Sequence, residues 1–132
     1  MALFIDTSAL YSALSSRDEH HQAARSVWAE LLSGDEPLIT DNYILVETNA
    51  LLGRRVGFQA VRDFQTDFVP ILQVFWVDEA LHERAMAALL TAGTRDLSLV
   101  DCVSFELMRG LGIARVFAFD AHFVQQGFRC IP

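Results

Sequence analysis

The sequence predicts an α/β domain with a mainly parallel sheet, and three observations carry that prediction. Short, β-rich apolar runs alternate with longer segments whose apolar residues recur at helical spacing. The alternation persists along the whole chain, as expected of successive βα units. Two of the short runs stop on a carboxylate just before a helical pattern begins, at Asp6 and at Asp120.

Leu3-Phe4-Ile5 reads as the first strand, closed by Asp6, Thr7 and Ser8. A short helix is expected from Ser8 to about Ser15. The polar stretch Arg17 to His21 leads into Ala24, Val27, Trp28, Leu31 and Leu32, an apolar stripe at helical spacing. Gly34 suits the position just after that helix. Pro37 to Thr40 is the second strand, and Thr40-Asp41-Asn42 offers N-caps for a helix over about 42–55. Gly57 separates it from a helix over about 58–69, which Pro70 should end. Gln73 to Val77 is the third strand. Asp78-Glu79 opens a helix to about Thr91, and Ser98 opens another to about Gly110. Ala114 to Phe119 is the fourth strand, ending on Asp120. A short helix at about 121–126 and a strand over 128–131 complete the pattern.

With 132 residues the chain suits one domain with a sizeable core. Its 52% apolar and 20% charged residues exclude disorder. No apolar run is long enough to span a bilayer. No basic segment followed by an apolar one marks a signal peptide. Cys102 and Cys130 are too few for a disulfide framework or a zinc site, so they read as reduced core thiols of a cytoplasmic protein. The net charge is −7, and all ten basic residues are Arg. That balance disfavours general, charge-driven nucleic-acid binding. A nuclease stays open, because a metal site concentrates acids by necessity.

Four acids stand out. Asp6 and Asp120 end strands, where each could also be a simple N-cap. Glu47 shares a helix face with Tyr43, Ile44, Ala50 and Leu51, an apolar stripe on which a lone carboxylate is costly to bury. It requires an Arg such as Arg54 or Arg55, a hydrogen-bond network or a metal. Asp101 shares an apolar face with Leu97 and Phe105, and Ser98-Leu-Val-Asp101 also fits a capping box. Parallel βα units place strand ends and the following helix starts on one edge, so all four acids can converge there. Carboxylates at such range repel one another, and a hard divalent cation relieves the repulsion. Without His or Cys ligands the set suits Mg²⁺ or Mn²⁺. Of the histidines, His122 reads as a helix-turn residue beside the site, and His20, His21 and His82 as solvated.

The segments Phe4-Ile-Asp6-Thr-Ser8-Ala-Leu10, Ile44-Leu-Val-Glu47-Thr-Asn-Ala-Leu51, Leu97-Ser-Leu-Val-Asp101-Cys and Ala118-Phe-Asp120-Ala-His-Phe123 resemble, in order and spacing, PIN-domain ribonucleases of the VapC toxin type. The resemblance covers essentially the whole chain. It implies a three-layer α/β/α fold with a five-stranded sheet in the order 3-2-1-4-5. It implies that Asp6, Glu47, Asp101 and Asp120 are both the catalytic and the metal-binding residues, with Ser8 a polar helper. The implied activity is endoribonuclease cleavage of single-stranded or loop RNA by metal-activated water, with Mg²⁺ or Mn²⁺. The implied partners are a cognate antitoxin, an RNA substrate and a second copy of the chain. The antitoxin is expected on the face carrying the second and third helices.

Arg54, Arg55 and Arg62 are candidate phosphate contacts, with stabilising charge at helix ends as the alternative. The competing class is a catalytically weak PIN-fold scaffold that acts with a partner. Phosphoacceptor domains also gather acids at strand ends, but those families rely on a Lys, and P-loop enzymes need a Gly-rich Lys motif. This chain has no Lys.

Overall fold

A computed structural model describes all 132 residues. Five short parallel strands form one sheet in the order β3-β2-β1-β4-β5. They are β1 (Leu3–Ile5), β2 (Leu38–Asp41), β3 (Gln73–Phe75), β4 (Arg115–Phe117) and β5 (Arg129–Ile131). The helices are α1 (Thr7–Leu14), α2 (His21–Ser33), α3 (Asn42–Arg55), α4 (Phe58–Asp63), α5 (Glu79–Ala92), α6 (Leu99–Leu111) and α7 (His122–Gln125).

Right-handed crossovers place α1 to α4 on one face and α5 to α7 on the other. The packing agrees. Trp28 of α2 stacks on Phe68 beyond α4 at 4.5 Å, and Phe105 of α6 meets Phe123 of α7 at 5.1 Å. With both faces covered, the central strand must be apolar on both sides. Leu3, Phe4 and Ile5 are accordingly all fully buried.

Three strands are shorter than the sequence suggests, and each time a hydrogen bond outside the sheet takes the backbone N–H. The Val77 N–H donates to Asn42 Oδ1 at 2.6 Å instead of extending β3. The Phe119 N–H donates to the Ser8 hydroxyl at 3.0 Å, which ends β4 before Asp120. The Phe128 N–H donates to the Phe123 carbonyl and stays with α7. The expected helix over 58–69 is also interrupted. After Asp63 it widens into a π-helical turn, Phe64–Phe68, and then tightens into a 3₁₀ turn, Val69–Ile71, around Pro70. The widened turn buries both Phe64 and Phe68.

Candidate active site

The carboxyl edge of the sheet gathers the four acids from four separate elements. Asp6 follows β1 and caps α1. Its Oδ2 accepts the Ser8 N–H at 3.1 Å and the Ser8 hydroxyl at 2.6 Å. It is 5% exposed. Burial pushes its carboxyl up to about 7, against the two Ser8 bonds, and the charges of Asp101 and Asp120 push the same way.

Glu47 lies in the second turn of α3. Burial raises its pKa first, the Thr7 hydroxyl works against that, and Asp101 and Asp120 add to the rise. Thr7 in turn accepts from the Thr48 hydroxyl at 3.2 Å, so α1 and α3 meet through these side chains. No Arg pairs with Glu47. Asp101 completes the expected capping box, with its Oδ2 on the Ser98 N–H at 3.0 Å and the Ser98 hydroxyl on its own N–H at 3.1 Å. Its pKa is raised by burial and by Asp120, while Ser98 and His122 oppose the rise. Asp120 Oδ1 accepts the His122 N–H at 2.9 Å.

Capping and convergence therefore hold together. The backbone bonds fall on one oxygen of each carboxylate, Oδ2 of Asp6, Oδ2 of Asp101 and Oδ1 of Asp120. The second oxygen of each accepts no backbone bond. One oxygen fixes the local chain, and the other stays available to a cation.

Two residues take a larger part than their sequence context suggests. His122 is inside the cluster rather than beside it. Its Nδ1 lies 2.9 Å from Asp120 Oδ1, and ligand atoms of Asp101, Asp120 and His122 lie within 4.8 Å of one another. That Nδ1 is buried and has no aligned hydrogen-bond partner, despite the short contact. The spacing Asp-x-His across a helix start was the available signal. Asp41, expected as one of several caps, is fully buried at the end of β2. Its Oδ1 accepts the Ile44 N–H at 2.9 Å, and its Oδ2 has no partner. Burial, with Glu47 nearby, pushes it up to about 6.

The arginines are not brought to the acids. Arg54 and Arg55 end α3, two turns or roughly 12 Å of helix rise beyond Glu47. Arg55 lies over the Tyr11 ring at 5.9 Å, and Arg62 lies over Phe58 at 5.0 Å. None of the three forms an ion pair with a carboxylate. The histidines read as solvated also have partners. His21 Nδ1 meets the Ser12 carbonyl at 2.8 Å, His82 is bonded to the Tyr43 hydroxyl, and His20 stacks on Phe119.

A parallel 3-2-1-4-5 sheet with acids from four elements at its carboxyl edge defines a PIN-type domain, and the PIN domain family matches residues 3–128. The chain belongs to that family. It is 35% identical over 127 residues to the 23S rRNA-specific endonuclease VapC20 of Mycobacterium tuberculosis, in two strains, covering 96% of this chain and 95% of the relative. The crystal structure of that VapC20, described as a Sarcin-Ricin loop cleaving toxin, superposes with a TM-score of 0.86 at 34% identity over 96% of each chain. FitAcB from Neisseria gonorrhoeae shares the fold, with a TM-score of 0.67 at 13% identity over 98% of this chain and 96% of that one.

Proposed function

We propose that the protein is a divalent-metal-dependent endoribonuclease, the toxin of a toxin–antitoxin pair, that hydrolyses a phosphodiester bond in single-stranded or loop RNA. The observation that carries this reading is the meeting of Asp6, Glu47, Asp101 and Asp120 at one edge, with an uncommitted oxygen on at least three of them. The donor set fits a hard cation. It is mostly carboxylate, and ionising the buried acids together is costly until a positive charge joins them. Mg²⁺ or Mn²⁺ is the expected ion, held by these four acids.

When bound, the ion supplies Lewis-acid polarisation of the phosphodiester and favours ionisation of the attacking water. The chain's own residues set the geometry. Ser8 holds one oxygen of Asp6, and Ser98 holds one oxygen of Asp101, so each carboxylate presents a fixed free oxygen. His122 limits rotation of Asp120 from a contact of 2.9 Å. Glu47, oriented by Thr7, faces the same edge and can accept a proton from the water. Arg54, Arg55 and Arg62 would meet RNA backbone remote from the cut.

The relative's specificity for 23S rRNA makes a ribosomal loop the first RNA to test. The cognate antitoxin is expected to place a cationic side chain among the acids, excluding metal and RNA together. A homodimer and a cytoplasmic site of action belong to the same reading. No helix is long and apolar enough to cross a membrane.

The decisive experiment is cleavage of a sarcin–ricin-type loop and of a mixed single-stranded RNA, with Mn²⁺, Mg²⁺ or EDTA. Wild type, Asp6→Asn and Asp101→Asn are run side by side. Metal-dependent cutting lost in both variants supports the proposal. Cutting that survives EDTA or both substitutions overturns it.

A further inference from the structure

The His20 and Phe119 rings are parallel, with centroids 4.4 Å apart and an interplanar angle of 4°. His20 comes from the loop before α2, and Phe119 immediately precedes Asp120. The stack is tied to the acids by a short chain of bonds. The Phe119 N–H donates to the Ser8 hydroxyl at 3.0 Å, and that hydroxyl donates to Asp6 at 2.6 Å. The His20 side is held as well. Its backbone N–H donates to Asp18 Oδ2 at 3.0 Å, and the same oxygen accepts the Ser12 hydroxyl at 2.8 Å. Glu19 meets the His20 ring at Nε2, on its edge, at 3.3 Å. Phe119 covers one face and Glu19 meets the edge, and the side chain is 43% exposed.

Electrostatics give this flat face a purpose. The chain carries a net charge of −7, and the three candidate phosphate contacts are remote from the acids. A contact that does not depend on positive side chains would add RNA affinity beside the acids. Stacking of an unpaired base on an aromatic face is such a contact, and every base can make it.

We infer that the His20–Phe119 stack is a platform that holds one unpaired RNA base beside the phosphodiester to be cut. His20 is thus a positioning residue that selects for single-stranded or splayed nucleotides. The inference rests on the ribonuclease reading above, and its test reads binding rather than cleavage. Single-stranded RNA carrying 2-aminopurine at each position in turn is titrated with Asp101→Asn protein, which is expected not to hydrolyse it, in the presence of Mn²⁺. Quenching is expected at one position. His20→Ala should abolish it and weaken RNA binding about tenfold, whereas His20→Tyr should retain both, with the melting temperature of all three proteins alike. Absence of quenching at every position, quenching unchanged in His20→Ala, or equal loss in His20→Tyr would overturn the platform. Failure of wild-type cleavage in the separate activity assay would instead strike the nuclease reading.

Discussion

Ser8 and Asp6 are joined twice through one carboxylate oxygen, by a backbone bond of 3.1 Å and a hydroxyl bond of 2.6 Å. The same hydroxyl accepts the Phe119 N–H, so a single side chain links the end of β1 to the backbone beyond β4. Ser8→Ala should leave that N–H without a partner and destabilise the protein by about 1–2 kcal/mol. It should also weaken Mn²⁺ binding, because Asp6 loses its fixed rotamer. Urea denaturation and calorimetric titration test the two effects, and Ser8→Thr should restore part of both. An alanine variant indistinguishable from wild type on both counts would remove Ser8 from the site.

Acid should stabilise the metal-free protein. Asp6 titrates near 7 when folded, against 3.8 as its ordinary value, so between those limits the native state holds a proton that the unfolded state has released. Stability then falls as pH rises from about 4 to about 7 and levels off above. Asp41, pushed up to about 6, acts in the same direction over a narrower window. We expect the metal-free protein to melt several degrees higher at pH 5 than at pH 8, with a flatter profile in Asp6→Asn. Mn²⁺ affinity should run the opposite way, rising with pH until Asp6 is ionised. A melting temperature that climbs from pH 5 to pH 8 without metal would contradict the assignment.

The capping box at α6 separates folding from chemistry. Ser98→Ala removes one half and should cost about 1 kcal/mol. Asp101→Asn keeps a carbonyl oxygen for the Ser98 N–H, so its stability should stay close to wild type while cleavage falls by at least about 100-fold. Thermal melts with single-turnover cleavage distinguish the two. Equal destabilisation by both substitutions would mean that Asp101 serves the helix alone.

His122→Ala should reduce Mn²⁺ affinity by roughly 10- to 100-fold, the usual effect of losing a partner that orients a ligand. Isothermal titration of the purified variant gives the answer directly. An unchanged affinity would leave the short contact with Asp120 without consequence for the ion.

Much of the fold was legible because its signals are local. Apolar triplets, helical stripes and residues such as Gly34, Gly57 and Pro70 mark the elements within a few positions. The strand order came from resemblance to a family, since alternation alone does not number neighbours. The acids were legible as a pattern, two at strand ends and two on apolar helix faces. The partners of the remaining polar residues were not. His20, His21 and His82 look solvated in sequence, yet each contacts a residue remote or several positions away in the chain. His20 meets Phe119, His21 the Ser12 carbonyl and His82 Tyr43. The early ends of β3 and β4 depend on Asn42 and Ser8 side chains reaching backbone N–H groups 35 and 111 residues away. Period and propensity carry no trace of such contacts.

The division of labour between the two oxygens of Asp6 and Asp101 has a genetic consequence. An Asp codon becomes an Asn codon by one nucleotide change. Such an allele would keep the capped helix and the surfaces outside the acids, while discarding a charge that the proposed reaction needs. On the proposed reading, inactivation at either position yields a folded, harmless copy that still meets antitoxin through the surfaces outside the acids, without the carboxylate that a cationic antitoxin side chain would pair with.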